Sequence, residues 1–239
     1  MGTNLPVNAP TADQPAPSVA GSEIVWAIVV AGGSGDRFGR PKQFLDLGGR
    51  TVVERSVAGA RGVASGVVVV VPSGHKDYTR PPDPTFGADV RVEGGASRAA
   101  SVRAGLAAVP ADATVVVVHD AARPLASPAL FEDVVAAVTG PSGADGAVPV
   151  LPVTDTLKRV ADRQVVATVD RDDLVAVQTP QAFRTAVLRR AHREEAEGTD
   201  DAALLELIGA TVRTVPGDPR NLKLTVPHDL VLAEILVGQ

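Results

Sequence analysis

The 239-residue chain contains no cysteine. Disulfides, thiolate metal sites and cysteine nucleophiles are therefore excluded. Aromatic residues make up only 3% of it, with one Trp and one Tyr. A core built on Ala and Val needs more close contacts to reach a given stability. Positive charge is not in excess: 23 Lys and Arg face 28 Asp and Glu, a net charge of −5. That balance argues against a large nucleic-acid footprint. Small basic clusters in such a chain suit a small anionic ligand instead. No apolar run approaches the length of a membrane span, so no membrane partner is expected. The first 22 residues lack a basic start and an apolar core, so they do not read as a signal peptide. Their Pro, Ala, Ser and Thr content predicts a disordered tail, and cytoplasmic residence is the default expectation.

What is present is a rhythm of short β-branched runs and helical spacings. Runs at 24–30, 66–71, 88–92, 114–118 and 146–150 alternate with helix-like stretches at 51–60, 97–108, 128–138 and 185–197. Near-continuous apolar strands between helices predict an α/β fold, with a mostly parallel sheet sandwiched by helices. The 45% hydrophobic content is enough for one sizeable core, assigned to 23–239. Two alternating segments, 156–160 and 165–169, flank Asp162-Arg163-Gln164 and predict a β-hairpin. This hairpin lies within an arm at about 152–178 that has too little apolar surface for its own core. Further on, a strand is expected at 211–215 and a helix at 227–237.

The first strand runs into "AGGSGDRFGRPKQF". A glycine-rich turn there lets backbone N–H groups approach an anion closely. No G-x-x-x-x-G-K-[ST] spacing occurs, so a Walker A loop is excluded. A dinucleotide fingerprint fits poorly. Phe38 stands where the third glycine belongs, and no acid closes the second strand at Val71-Pro72-Ser73-Gly74. Arg37 and Lys42 follow the glycines at close range, with Pro41 stiffening the approach. Two cations beside a backbone nest suit a triphosphate, where neutralisation and alignment are the needs.

The loop resembles the signature of the sugar nucleotidyltransferase superfamily, and "PKQF" narrows the resemblance to the polyol-phosphate cytidylyltransferases. Collinear blocks extend it: "GGASRAASVRAGL", "VVVVHDAARPL", "PVTDTLKRV", "VDRDDLVAVQTPQAF", "GTDDAALLE" and "GDPRNLKLTVPHDLVLAE". The resemblance implies a Rossmann-like fold whose β-hairpin arm serves dimerisation. It also implies CTP and a polyol phosphate as substrates. The leading acceptor is methylerythritol 4-phosphate, in non-mevalonate isoprenoid synthesis, and ribitol 5-phosphate is the alternative. A divalent cation, Mg²⁺ first, is the implied cofactor.

The resemblance assigns site residues position by position. Arg37 and Lys42 carry the catalytic charges. Ala31, Gly32, Gly33, Gly35, Gly94, Gly95, Ser101 and Lys223 are implied at the nucleotide, with Ser101 reading the cytosine edge. Asp120, Arg123, Thr156, Arg171 and Thr179 are implied at the polyol phosphate, with Arg171 serving the partner subunit. Asp120 is also the candidate metal ligand. Arg98 either orders its loop or touches phosphate. Taken singly, several of these residues have plainer readings. Asp120 suits a helix cap, Ser101 an ordinary helix hydroxyl, Arg171 a turn charge and Lys223 a solvated strand-end lysine. All four histidines read as structural or surface groups. Asp200 and Asp201 favour a helix dipole and stay outside the site. Two other classes remain: a nucleotide-binding protein without turnover, and, remotely, an NAD-dependent oxidoreductase.

Overall fold

The computed structural model describes residues 23–33, 38–74, 85–141, 143–193 and 196–238. The expected tail, Gly35, Arg37 and His75 lie outside these residues.

The chain enters through β1 (Val25–Val30), whose alternate residues point to opposite faces. A 3-10 turn at Lys42–Phe44 comes next, then a minimal ladder of β2 (Asp46–Leu47) and β3 (Arg50–Thr51). Helix α1 (Val52–Arg61) starts at a capping box in which Thr51 accepts from the Glu54 amide and Glu54 accepts from the Thr51 amide. Beyond it lie β4 (Gly66–Val71), β5 (Val90–Glu93), α2 (Arg98–Ala108) and β6 (Val115–Asp120). Helix α3 (Pro128–Thr139) places Pro128 where no intrahelical N–H is needed. Strand β7 (Gly146–Pro152) leads into the arm, β8 (Leu157–Ala161) and β9 (Gln164–Val169). The chain closes with β10 (Val175–Val177), β11 (Gln181–Arg184), α4 (Thr185–Ala191), α5 (Asp201–Leu207), β12 (Val212–Pro216) and α6 (Pro227–Val237).

The main sheet has eight strands, with β5, β4, β1 and β6 adjacent and parallel. Antiparallel β11 joins β6 to β7, which also carries antiparallel β10 and parallel β12. Both faces of this sheet are buried. Val29, Val69, Val117, Phe131 and Val134 pack on the side of α1 and α3. Ile28, Val70, Val118, Val102, Leu106, Leu188 and Leu205 pack on the side of α2, α4 and α5. Small side chains permit tight seams: a Cβ on Gly66 would fall 2.5 Å from the Trp26 ring.

The chain runs from β1 to β4 and β5 on one side, then returns to β6 on the other. The carboxyl ends of β1 and β6 therefore meet where the strand order reverses, the position at which open α/β sheets bind ligands. Val30 registers against Asp120 there. No helix among the described residues is long and apolar enough to cross a membrane.

Four local expectations need correction. Strand β6 runs through His119 and Asp120 instead of stopping at 118, because both continue its register against β1. Strand β5 starts at Val90 rather than 88, since the Ala88 amide is held in a turn by Thr85. The helix expected over 185–197 ends at Ala191. Beyond it only Ala196 is apolar up to Gly198, so a longer helix would have little to bury. Lys223 does not lie on a strand. The Leu222/Leu224 alternation instead pins a loop: Leu224 is fully buried against Leu47, Val52 and Ala233, and its amide bonds the Ala122 carbonyl at 2.8 Å.

The arm is a two-stranded hairpin with Asp162 and Arg163 both at positive φ (46° and 64°), as a two-residue turn requires. Val160, Val165 and Val166 on it are more than half exposed.

Candidate active site

The glycine turn leaves β1 at Ala31, whose amide still bonds Val70 across the sheet end. Buried Gln43 fixes the course of the turn. Its Nε2 donates to the carbonyls of Ala31 (2.8 Å) and Gly33 (2.9 Å). With those carbonyls held by Gln43, the loop sits beside the Lys42–Phe44 turn that carries Lys42. Opposite, Ser97 caps α2 by accepting from the Ala100 amide, and Ser101 donates to the Ser97 carbonyl at 2.9 Å. Ser101 is wedged between two glycines: a Cβ on Gly32 would lie 3.2 Å from its Oγ, and one on Gly94 2.7 Å. The two backbones approach this closely because neither residue has a side chain.

These elements enclose a cavity of about 480 Å³. Ala31, Gly32, Gly33, Lys42, Gly95, Ser101, Asp120 and Lys223 line it, so eight of the sequence-derived residues converge. Gly94 adjoins it through Ser101. A second cavity of about 540 Å³ lies beyond, lined by Asp120, Arg123, Thr179, Lys223 and an apolar wall of Val148, Val150, Val175 and Val177. Arg98, Asp120 and Lys223 belong to both cavities and form the partition between them.

The partition is an ionic chain. Asp120 Oδ1 accepts from Arg98 Nε at 3.2 Å, and its Oδ2 from Lys223 Nζ at 2.7 Å. Burial opposes ionisation of Asp120, but the Arg98 and Lys223 charges outweigh it and hold the carboxyl well below its usual range. Burial also opposes the Arg98 charge, and Asp201 and Asp120 together raise that guanidinium above its ordinary value.

Beneath Asp120 lies a neutral network. Its amide donates to Thr179 Oγ1 at 3.0 Å, and Thr179 Oγ1 meets His119 Nδ1 at 3.2 Å. His119 Nε2 lies 3.1 Å from the Arg123 carbonyl. One tautomer satisfies all three contacts: Nε2–H donates to Arg123, and Nδ1 accepts from Thr179. Burial pushes His119 down to about 4, so it is neutral near pH 7 and structural, as expected. Arg123 donates to the Asn221 carbonyl at 2.8 Å. Asn221 in turn donates to the Thr179 carbonyl at 2.9 Å, tying the Lys223 loop to the site floor.

Thr156 and Arg171 do not join either cavity. They line a separate hollow on the arm, with Thr168 and Asp172, and Arg171 bonds the Thr154 carbonyl there. Three residues outside the sequence-derived site also shape it: Gln43, Asn221 and Arg98. Gln43 lies within the quoted "PKQF", and its single amide explains why that position matters. Asn221 reads in the sequence only as a neighbour of Lys223, whereas Arg98 reads as ordering its loop or touching phosphate, and the structure sets it between Asp120 and Asp201.

The family model described as IspD, 2-C-methyl-D-erythritol 4-phosphate cytidylyltransferase, matches residues 25–239. The chain belongs to this family. A cytidylyltransferase of that name from Rhodococcus jostii is 47% identical over 222 residues, covering 90% of this chain and 96% of the relative. Another from Rubrobacter xylanophilus is 43% identical, covering 89% and 94%. The crystal structure of the Thermus thermophilus cytidylyltransferase superposes with a TM-score of 0.75 at 39% identity, over 89% of this chain and 98% of that one. Membership fits the paired cavities: a cytidylyltransferase must hold a nucleotide and an acceptor on either side of one reacting phosphorus.

Proposed function

We propose that the chain transfers CMP from CTP to 2-C-methyl-D-erythritol 4-phosphate, releasing pyrophosphate and forming CDP-methylerythritol for non-mevalonate isoprenoid synthesis. The observation that carries this, within a chain of that family, is the shared ionic partition of Arg98, Asp120 and Lys223 between two cavities. The glycine-lined cavity takes CTP and the other takes the acceptor.

In this reading a phosphate oxygen of the acceptor attacks the α-phosphorus. The new P–O bond forms as the bond to pyrophosphate breaks, in line. A phosphate monoester is largely ionised near neutral pH, so no general base is needed. His119, neutral and bonded at both nitrogens, is not asked to serve as one. Catalysis rests on orientation and on countering phosphate charge. Gly32 and Gly33 offer backbone approach, and Lys42 and Lys223 offer charge. Arg37 and Gly35 keep the phosphate roles implied by their place in the motif. Ser101 has its proton engaged by Ser97, so its oxygen is left to accept from the cytosine amino group. Ribitol 5-phosphate is the alternative acceptor, read by the same residues.

A divalent cation fits the donor set in one way. The described residues hold no cluster of three acidic or histidine groups. Asp120 is ionised, and each of its oxygens keeps a lone pair beyond its one cationic partner. Such a site suits Mg²⁺ held chiefly by phosphate oxygens with Asp120 as its one protein carboxylate. The ion would add positive charge along the triphosphate.

We further propose a homodimer joined by the arm. Isolated two-stranded hairpins are marginal in water, and the exposed Val160, Val165 and Val166 lack cover within the described residues. Crossing to a partner would bring Thr156 and Arg171 to the partner's acceptor cavity, where Arg171 would clamp the polyol phosphate by paired hydrogen bonds. A cytoplasmic location goes with the same reading. The test is pyrophosphate release from CTP with each polyol phosphate in turn. A kcat/KM for methylerythritol phosphate well above that for ribitol phosphate supports the assignment, and the reverse order replaces it with the alternative.

A further inference from the structure

In the sequence Asp201 reads as a helix-dipole residue; the structure gives it other work. It is fully buried and lines neither cavity. Its Oδ2 accepts from Arg98 Nη1 at 2.8 Å, across 103 residues of chain. Its Oδ1 meets His192 Nε2 at 2.9 Å, and His192 is itself buried. The neighbouring Asp200 has the ordinary N-terminal role, accepting from the Ala203 amide at 2.9 Å. So the helix start does not need Asp201.

Arg98 has a planar guanidinium with donors in fixed directions. Nη1 is spent on Asp201 and Nε on Asp120. Nη2 is enclosed and has no hydrogen-bond partner among the described residues. Two carboxylates on two edges of one rigid plane fix its rotation, and with it the direction of Nη2 at the partition. A buried carboxylate facing an arginine on one side and a histidine on the other is poorly explained by stability alone. Replacing such a group by apolar packing is often neutral or stabilising.

We infer that Asp201 is a positioning residue for nucleotidyl transfer: with His192 behind it, it locks the Arg98 guanidinium against Asp120, and so fixes the Asp120 carboxylate and its partner Lys223 between the two cavities. This rests on the proposed function for what the two cavities bind, while the locking of Arg98 stands on geometry alone.

The experiment is a double-mutant cycle with Asp201→Asn and Arg98→Met, following kcat/KM with CTP and methylerythritol phosphate and thermal unfolding in parallel. Asp201→Asn is expected to lower kcat/KM by about 10- to 100-fold in the otherwise wild-type chain. It is expected to lower it by less than about 3-fold in the Arg98→Met chain, because coupled residues do not add. Equal losses in both backgrounds, or no loss in either, would overturn the inference. Should Asp201→Asn fail to fold, Arg98→Lys tests the same claim: one ammonium keeps the charge but lacks the fork that holds both carboxylates. A drop of about 10-fold or more is expected, and full activity overturns the inference. A crystal structure of Asp201→Asn is expected to show Arg98 displaced from Asp120, and an unmoved Arg98 contradicts the locking. Absence of turnover in the wild-type chain would instead defeat the proposed function, and the position of Arg98 in that crystal structure still decides this inference.

Discussion

Acidification tests the packing beneath the site through one buried group, His119. Unfolded, an imidazole titrates near 6.5. In the fold, burial pushes His119 down to about 4. The folded value lies below the unfolded one, so the unfolded chain takes up a proton first as pH falls. Stability from this residue is fully present above about pH 6.5 and is lost on the way down to about pH 4. The gap is about 2.5 pH units, and at about 1.4 kcal/mol each the loss approaches about 3 kcal/mol. The cause is burial: the fully enclosed ring would have to carry a charge away from water. The assay is urea unfolding between pH 7.5 and 4 for the wild-type chain and for His119→Gln. The variant keeps a donor toward the Arg123 carbonyl and loses the titration. Wild-type stability is expected to fall about 3 kcal/mol further than that of His119→Gln over this window. Parallel curves would refute the reasoning. Asp120 has the usual carboxylate sign: its depressed value gives stability that is present above about pH 4 and lost below, outside the window measured.

Lys42→Ala should reduce turnover by about 100-fold or more while leaving acceptor binding nearly unchanged, read from separate kcat and acceptor-binding measurements; near-normal turnover would remove Lys42 from the reaction. Mixing Arg171→Ala subunits with Lys42→Ala subunits should restore activity in about half of the sites' worth of mixed dimers, since one of two shared sites is then intact. No recovery after verified subunit exchange would mean that the sites are not shared. Leu224→Ala should cost about 2–5 kcal/mol, because Leu224 is fully buried, and should also impair turnover by loosening the Lys223 loop. Unchanged activity in a folded Leu224→Ala protein would show that the hydrogen bonds of the loop hold Lys223 without the Leu224 side chain.

The sheet was legible because its signal is local. Valine runs such as 66–71 read as strands buried on both faces, and the β1 glycines announced a turn where backbone must approach a ligand. The site centre came only through the motif resemblance: Asp120 taken singly suits a helix cap, and it is the structure that brings it to the strand end beside Val30. What escaped were links between distant side chains. Nothing periodic marks Arg98 as the partner of Asp201, or Gln43 as the clamp on Ala31 and Gly33. Lys223 shows the opposite error. Its flanking leucines alternate as in a strand, yet they anchor a loop on α6, from which Lys223 reaches Asp120.

The central claim is transfer of a cytidylyl group to a polyol phosphate across the Asp120 partition. Phosphorus NMR of the purified chain with CTP, Mg²⁺ and methylerythritol 4-phosphate tests it directly. The account predicts that the acceptor monophosphate and the CTP signals give way to a pyrophosphate diester and an equal amount of free pyrophosphate. Release of phosphate or pyrophosphate without the diester, or unchanged spectra, would contradict it.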